Sequence, residues 1–416
     1  MYSSIRNLLK APRFLLVVLC SLCCNGFAQH PVHEIELTRH VADTAKQRDL
    51  IDIAKNILHI RPGNTVDSTG KKVYFSFLPF STAVPGGGQA LITTTTAGFY
   101  LGDRETTNMS RMTFTPYTNF ARRFGLPIRS YVWLENNTWV IDGDIRLLKY
   151  PIETWGVGRE YGNDEHLMMD YTYLRIYQHA LKRICDGLFL GGGYNLDYWM
   201  NIRSQEHQLL SDYTSYPHGT DDREYILSSG LSLNMIYDTR ANSINPWAGN
   251  YANIRLRTNP KFMGSQQNWN SLFVETRRYH RFTRDPNEQN MLAIRQFLWT
   301  VFNSPAPYLD LPTLAGDTYN SSGRGFPLNR FRGKSLYYAE AEYRRNLTSN
   351  GLFGFVAFVN ANTVSGPESS FFRTWNFGSG VGARIKFNKN AGTNIAIDYG
   401  VSRHHHGVHL SLGEVF

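Results

Sequence analysis

The chain is 416 residues long, carries a formal charge of +9, and combines 14% aromatic residues with a mean hydropathy of −0.36. That length fits two or three ordinary domains or one large β structure. So many rings in so polar a chain exclude apolar helices as their place and point to strands; the mild charge, with no basic block, excludes nucleic acid as an expected partner.

Residues 1–28 read as an export signal. Arg6, Lys10 and Arg13 precede the apolar "FLLVVLCSLCC", and Gly26-Phe27-Ala28 offers cleavage after Ala28. Three of the four cysteines lie in this stretch, so only Cys185 remains and a disulfide framework is excluded. Beyond residue 28 no apolar run approaches the roughly 18 residues that a spanning helix needs, which excludes a helical membrane protein.

The segment 29–71 is expected to be periplasmic, with an amphipathic helix over 43–58. Leu50, Ile53, Ile57 and Leu58 fall on one side of it, and Asp43 is its expected cap. From about residue 72 the pattern has period two, and one parity is nearly free of charge. Ala252, Ile254 and Leu256 oppose Asn253, Arg255 and Arg257; Tyr337, Ala339, Ala341 and Tyr343 oppose Glu340, Glu342 and Arg344. Alternation alone suits a soluble sandwich equally well. Strand lengths near ten residues, Tyr and Trp near strand ends, and connections that alternate long and short decide for a transmembrane antiparallel β-barrel over 72–416.

About sixteen strands are expected, the first at 72–82, a hairpin at 166–180 and 183–199, and the last at 405–416. The longest connections, 149–165, 200–223, 259–270 and 304–335, share the outer side. Short joins at 135–137, 348–351 and 388–392 share the periplasmic side. Gly191-Gly192-Gly193 reads as part of a curved wall, and His404-His405-His406 as a solvated outer tip facing lipopolysaccharide, so no metal or cofactor is expected.

One stretch asks for a partner. "SSGRGFPLNRFRGKSLYYAEAEYRR" (321–345) starts as a loop and finishes as a strand whose Glu340 and Glu342 face the lumen. A Phe beside an Arg makes sense if the loop 304–335 folds back into the barrel. Gly323 and Gly325 then supply sharp turns, Phe326 finds apolar contacts, and Arg324 makes a forked pair with Glu342 first and Glu340 second.

This stretch resembles the loop-six Arg-Gly-Phe/Tyr motif and following strand of the BamA/TamA/FhaC barrel superfamily, the bacterial surface antigens. "YDTRANSINPWAGNYANIRLR" (237–257) is similar to its periplasmic turn motif, here Asp238, Arg240, Pro246 and Gly249. "LSLGEVF", with Leu410, Leu412 and Phe416, is similar to its C-terminal insertion signal. Two departures stand out. Members usually carry several POTRA domains, for which 29–71 is too short, and "FVNAN" places Asn360 where relatives often have an Asp.

The resemblance implies insertion or translocation of outer-membrane or surface proteins, with assembly partners, in the outer membrane of a Gram-negative bacterium. A weak seam between first and last strands would serve it, and Pro79, Gly407 and Gly413 are the residues suited to thin such a seam. A solute pore or a structural accessory barrel is the alternative. Without a nucleophile-elbow motif, an enzyme is not expected.

Overall fold

The computed structural model describes residues 46–59, 73–84, 88–119, 123–158, 166–205, 210–214, 216–220, 225–285, 287–302, 305–366 and 372–416. The expected export signal at 1–28, the expected cap Asp43 and most of 29–71 lie outside the described residues. All described residues belong to the unit Val41–Phe416.

Among the described residues sixteen wall strands follow one another. The first eight are β1 (Val73–Val84), β2 (Gly88–Phe99), β3 (Ser110–Phe114, continued by Tyr117–Thr118), β4 (Phe124–Trp133), β5 (Trp139–Lys149, continued by Ile152–Thr154), β6 (Leu167–Cys185), β7 (Leu188–Ser204) and β8 (Tyr225–Asp238). The others are β9 (Gly249–Asn259), β10 (Trp269–Arg281), β11 (Asn290–Phe302), β12 (Ser335–Asn346), β13 (Phe353–Val364), β14 (Asn376–Asn388), β15 (Thr393–Ser402) and β16 (His406–Leu412). The breaks in β3 and β5 fall at Pro116 and Pro151, which have no N–H to give to the ladder. Each strand pairs antiparallel with the next, from β1–β2 through to β15–β16.

The side chains are distributed inside out relative to a soluble protein. Phe75, Leu233, Val359 and Phe377 point outward and are more than half exposed, whereas Asp197, Glu275, Arg295 and Glu342 are buried in the interior. An apolar outer wall around a polar lumen is what a bilayer selects, and it settles the choice against a sandwich.

Two strand boundaries differ from expectation. The hairpin between β6 and β7 turns at Asp186-Gly187, not near 181–182, because Gly187 supplies the positive φ (74°) that a tight turn needs. Gly191 therefore lies in β7, where a Cβ would collide with the carbonyl of Ala180. The last strand stops at Leu412 and not at 416, since Gly413 adopts φ 112° and turns the chain into the barrel mouth.

The helix α1 (Leu50–Ile57) is shorter than its amphipathic pattern, and its cap is Asp49, whose carboxylate accepts from Asp52 N at 2.7 Å. The other Asp49 oxygen accepts from Lys389 N, and Lys389 Nζ reaches Asp52 at 2.7 Å. Arg48 N donates to Asn350 O at 3.0 Å. The helix thus hangs from the turns after β12 and β14 at the barrel rim, with Ile57 and Leu58 exposed.

Candidate functional site

The connection between β11 and β12 enters the lumen and is fastened along its length. Its Asp310 accepts from Trp199 Nε1 at 2.8 Å and from Ser228 Oγ at 2.6 Å, both on the wall. Asp317 pairs with Arg295 at 3.3 Å and accepts from the backbone N–H groups of Ser321 and Ser322. At the tip a turn closes with Phe326 N donating to Gly323 O at 2.9 Å. Gly323 (φ 86°) and Gly325 (φ 95°) both adopt backbone conformations that side chains resist, so both glycines are required by the turn.

Phe326 is buried with Phe297, Leu314, Phe331, Leu336 and Tyr338. The backbone beside it lies directly on two strand glycines. A Cβ on Gly400 would stand 2.6 Å from Gly325 N, and one on Gly378 would stand 3.0 Å from the Phe326 ring.

Arg324 sits between three strands. Its Nη2 pairs with both Glu340 and Glu342 of β12, and its Nη1 reaches Asp398 Oδ2 of β15 at 2.6 Å. The guanidinium also lies 3.7 Å from the ring centre of Phe358. Burial alone would depress its ionisation, but the three carboxylates hold Arg324 well above its ordinary value, so it stays charged. Two more arginines balance the excess of carboxylates. Arg344 pairs with Glu342 at 2.6 Å, while Arg384 pairs with Asp398 at 2.5 Å and with Glu414 at 2.9 Å. Asn360 occupies the expected departure and donates from Nδ2 to the carbonyl of Arg324 at 2.9 Å. It holds the tip without adding charge; the third carboxylate comes from Asp398.

The structure does not bring the remaining sequence-derived residues into this cluster as one group. In the turn between β8 and β9, Arg240 forks onto Asp238 at 2.9 and 2.8 Å and lies 4.2 Å from the ring centre of Tyr251. Pro246 is buried in that turn, and Gly249 closes it with φ 102°. The same turn crosses the mouth: Asn242 and Asn245 donate to the carbonyls of Ala391 and Gly392 beside β15, and Met109, before β3, packs on Ile244. Leu410 and Leu412 lie in β16. Phe416 points inward, packed with Tyr279, Met291 and Ala293, and its main-chain oxygen accepts from Arg344 at 2.9 Å.

The first and last strands face each other without zipping. Among the described residues β1 and β16 share no ladder register, and β16 has 7 residues against 12 in β1. Bridging bonds come instead from beside the gap: Asn388 Nδ2 to Phe75 O at 3.3 Å, and Thr96 Oγ1 to Leu412 O at 3.4 Å. Pro79 sits in β1 opposite Thr93, and Gly407 in β16 opposite Gly400. Gly413 lies beyond the strand and turns the chain end inward. At the outer hairpin His405 Nδ1 lies 3.3 Å from Gly325 O, next to the loop tip.

Asp398, Arg384, Glu414 and Gly400 are the site residues that sequence reasoning missed. Asp398 was legible as a lone acid on the lumen parity of its strand, and Gly400 follows it on the same face. Nothing in the sequence said that Glu414 would leave the strand and turn back.

Loop fastening also has a pH signature. Burial, reinforced by the nearby Asp197 carboxylate, pushes Asp310 up to about 6 from an ordinary 3.8. The folded loop therefore holds a proton that the unfolded chain has already released. Stability from this group is present at low pH and is lost as pH rises through about 6. Asp310→Asn is expected to flatten this dependence, removing a difference of about 3 kcal/mol at most between pH 4 and 7. Thermal melts of both proteins across that range check it.

A continuous antiparallel wall around a polar lumen, a returning loop pinned by a buried arginine, and an unzipped junction of first and last strands define a distinct class of transmembrane barrel. Residues 157–416, more than half of the chain, match the Omp85 superfamily domain. The chain belongs to the Omp85 superfamily.

Among solved structures it is similar to BamA from Haemophilus ducreyi lacking POTRA domains 1–3, at 14% identity and TM-score 0.49, over 90% of this chain and 81% of that one. It is similar also to CdiB from Acinetobacter baumannii, at 12% identity and TM-score 0.49, over 81% of this chain and 62% of that one. CdiB from Escherichia coli aligns at 9% identity and TM-score 0.54, over 81% of this chain and 61% of that one, a likeness of fold alone. The chain spans about three-fifths of the length of the two CdiB chains. No curated protein matches the sequence.

Proposed function

We propose that the protein works in the outer membrane of a Gram-negative bacterium, inserting or translocating outer-membrane or surface proteins together with a partner. The observation that carries this reading is the unzipped junction of β1 and β16. An unpaired strand edge in a bilayer offers its N–H and C=O groups to an incoming strand, and strand addition satisfies both. The loop fastened by Arg324 supports the same reading, because it occupies part of the lumen and ties the wall together on both sides of β13 and β14, leaving the junction as the weak line. The exposed Ile57 and Leu58 at the end of α1 offer a contact for an assembly partner at the rim.

Depleting the protein in its native cell and quantifying folded outer-membrane barrels and surface lipoproteins, by heat-modifiable mobility and proteomics, tests the proposal. A fall in many barrels, or in one or a few clients, is the expected result. Unchanged levels of all of them would remove this reading and favour a solute pore.

A further inference from the structure

The lumen contains a chamber of about 740 Å³ beside the returning loop. Ten arginines line it against six carboxylates, and even with Asp144 and Asp238, which pair with lining arginines from just behind, its wall keeps an excess of positive charge. Most of these arginines share a carboxylate that is already engaged. Asp144 is forked by Arg146 at 2.8 and 2.7 Å and takes Arg175 at 3.3 Å. Arg129 is left 3.9 Å from the same carboxylate, beyond hydrogen-bond reach, and its buried Nε has no partner. Arg111, on β3, has no carboxylate among the described residues; it bonds Thr113 Oγ1 and Ser243 O.

Three guanidinium groups meet at one place on the loop. Arg129 Nη2 and Arg146 Nη1 both donate to the single amide oxygen of Asn320, at 2.9 and 3.1 Å. Arg111 and Arg129 lie 4.3 and 5.7 Å from the ring centre of the adjacent Tyr319. The one remaining carboxylate nearby, Asp317, is occupied by Arg295 and two serines. A neutral amide therefore stands where three cations converge. Buried charge of one sign is costly without a counter-charge, and planar guanidinium forks match phosphate oxygens several at a time.

The geometry points to a phosphate-binding site in the lumen, formed by Arg111, Arg129 and Arg146 around Asn320. Two sources of that chemistry can reach it. The chamber is lined by Phe80 of β1 and by Gly407 to Leu410 of β16, so it touches both edges of the unzipped junction, through which a lipid phosphate headgroup has access. A water-soluble phosphate compound has access through the barrel mouth. The inference concerns binding and is independent of the proposed handling of client proteins.

Titration calorimetry on the full chain in non-ionic detergent tests it with two probes, inorganic pyrophosphate and dihexanoyl phosphatidic acid. Saturable binding of at least one is expected, weakened tenfold or more in Arg111→Gln/Arg129→Gln. A preference for phosphatidic acid assigns the site to lipid headgroups; equal or better binding of pyrophosphate assigns it to soluble phosphates. Asn320→Asp guards against a folding defect, because it supplies the missing anion in place. Its carboxylate also gives up the bond from Asn320 Nδ2 to Ala315 O (2.8 Å), which offsets the gain from the new charge, so the variant is expected to stay folded while probe affinity falls tenfold or more. Binding of neither probe to the wild type, or undiminished binding in folded Asn320→Asp, overturns the proposal.

Discussion

Arg324→Ala is expected to loosen the returning loop by about 3–5 kcal/mol, the usual consequence of removing one partner from a buried ion cluster. The reason is what stays behind. Glu340, Glu342 and Asp398 are almost fully buried, and after the substitution Arg344 and Arg384 alone must answer for them and for Glu414. The ring of Phe358 loses its cation as well. Folded protein is expected to lose its heat-resistant gel mobility at a clearly lower temperature. In planar bilayers the variant should pass larger and longer current steps than the wild type, because the loop no longer stays seated. Arg324→Lys should recover only part of the effect: it restores one charge, but an ammonium group cannot fork to β12 and β15 at once. Wild-type melting and conductance in the alanine variant would show that the loop is held by other contacts, Asp310 and Phe326 first among them.

The barrel was legible because two periodicities were legible. On β9, and on β12 as far as Arg344, charge is confined to one parity, and that parity is on the whole the more buried one. Turn chemistry fixed most boundaries, but not the β6–β7 hairpin: alternation placed the join near 181–182, whereas Asp186-Gly187 carries the turn chemistry and makes the turn. The loop lock was half legible. Arg324 and the two glutamates of the next strand lie within twenty residues of one another, so sequence proximity exposed them. Asp398 and Gly400 lie more than seventy residues away, and only sheet curvature brings β15 across to the loop tip. The inward placement of Glu414 and Phe416 was beyond reach for another reason. Their alternation continues that of β16, and a single positive φ at Gly413 overrides it. The arginine convergence at Asn320 joins β3, β4 and β5 to a loop nearly two hundred residues later, a contact that no local pattern encodes.

Gly400→Val is expected to unseat the same loop tip without touching a charge. Gly400 faces the lumen, and its missing side chain is the space that Gly325 occupies: a Cβ would lie 2.6 Å from Gly325 N and 2.9 Å from Arg324 C. These are backbone atoms of a turn already committed to two positive φ angles, so they cannot step aside as a flexible side chain would. For the strand itself valine is the better residue, which argues for a small gain if the loop is ignored. The sign of the result is therefore diagnostic. Overpacking of this kind costs about 1–3 kcal/mol where neighbours adjust, and more where they do not. Here displacement of the tip also withdraws Arg324 from its three carboxylates, so the loss should approach that of Arg324→Ala. Combined in one chain, the two substitutions should cost well under their sum, since either one removes the same seat. Gly407→Val provides the control. Its Cβ would meet only His405 Cε1, at 3.4 Å, and its effect on melting should be slight. If Gly400→Val stabilises the barrel, or if the double variant is strictly additive, close approach of loop and wall is not what positions Arg324, and the ion cluster must hold the loop unaided.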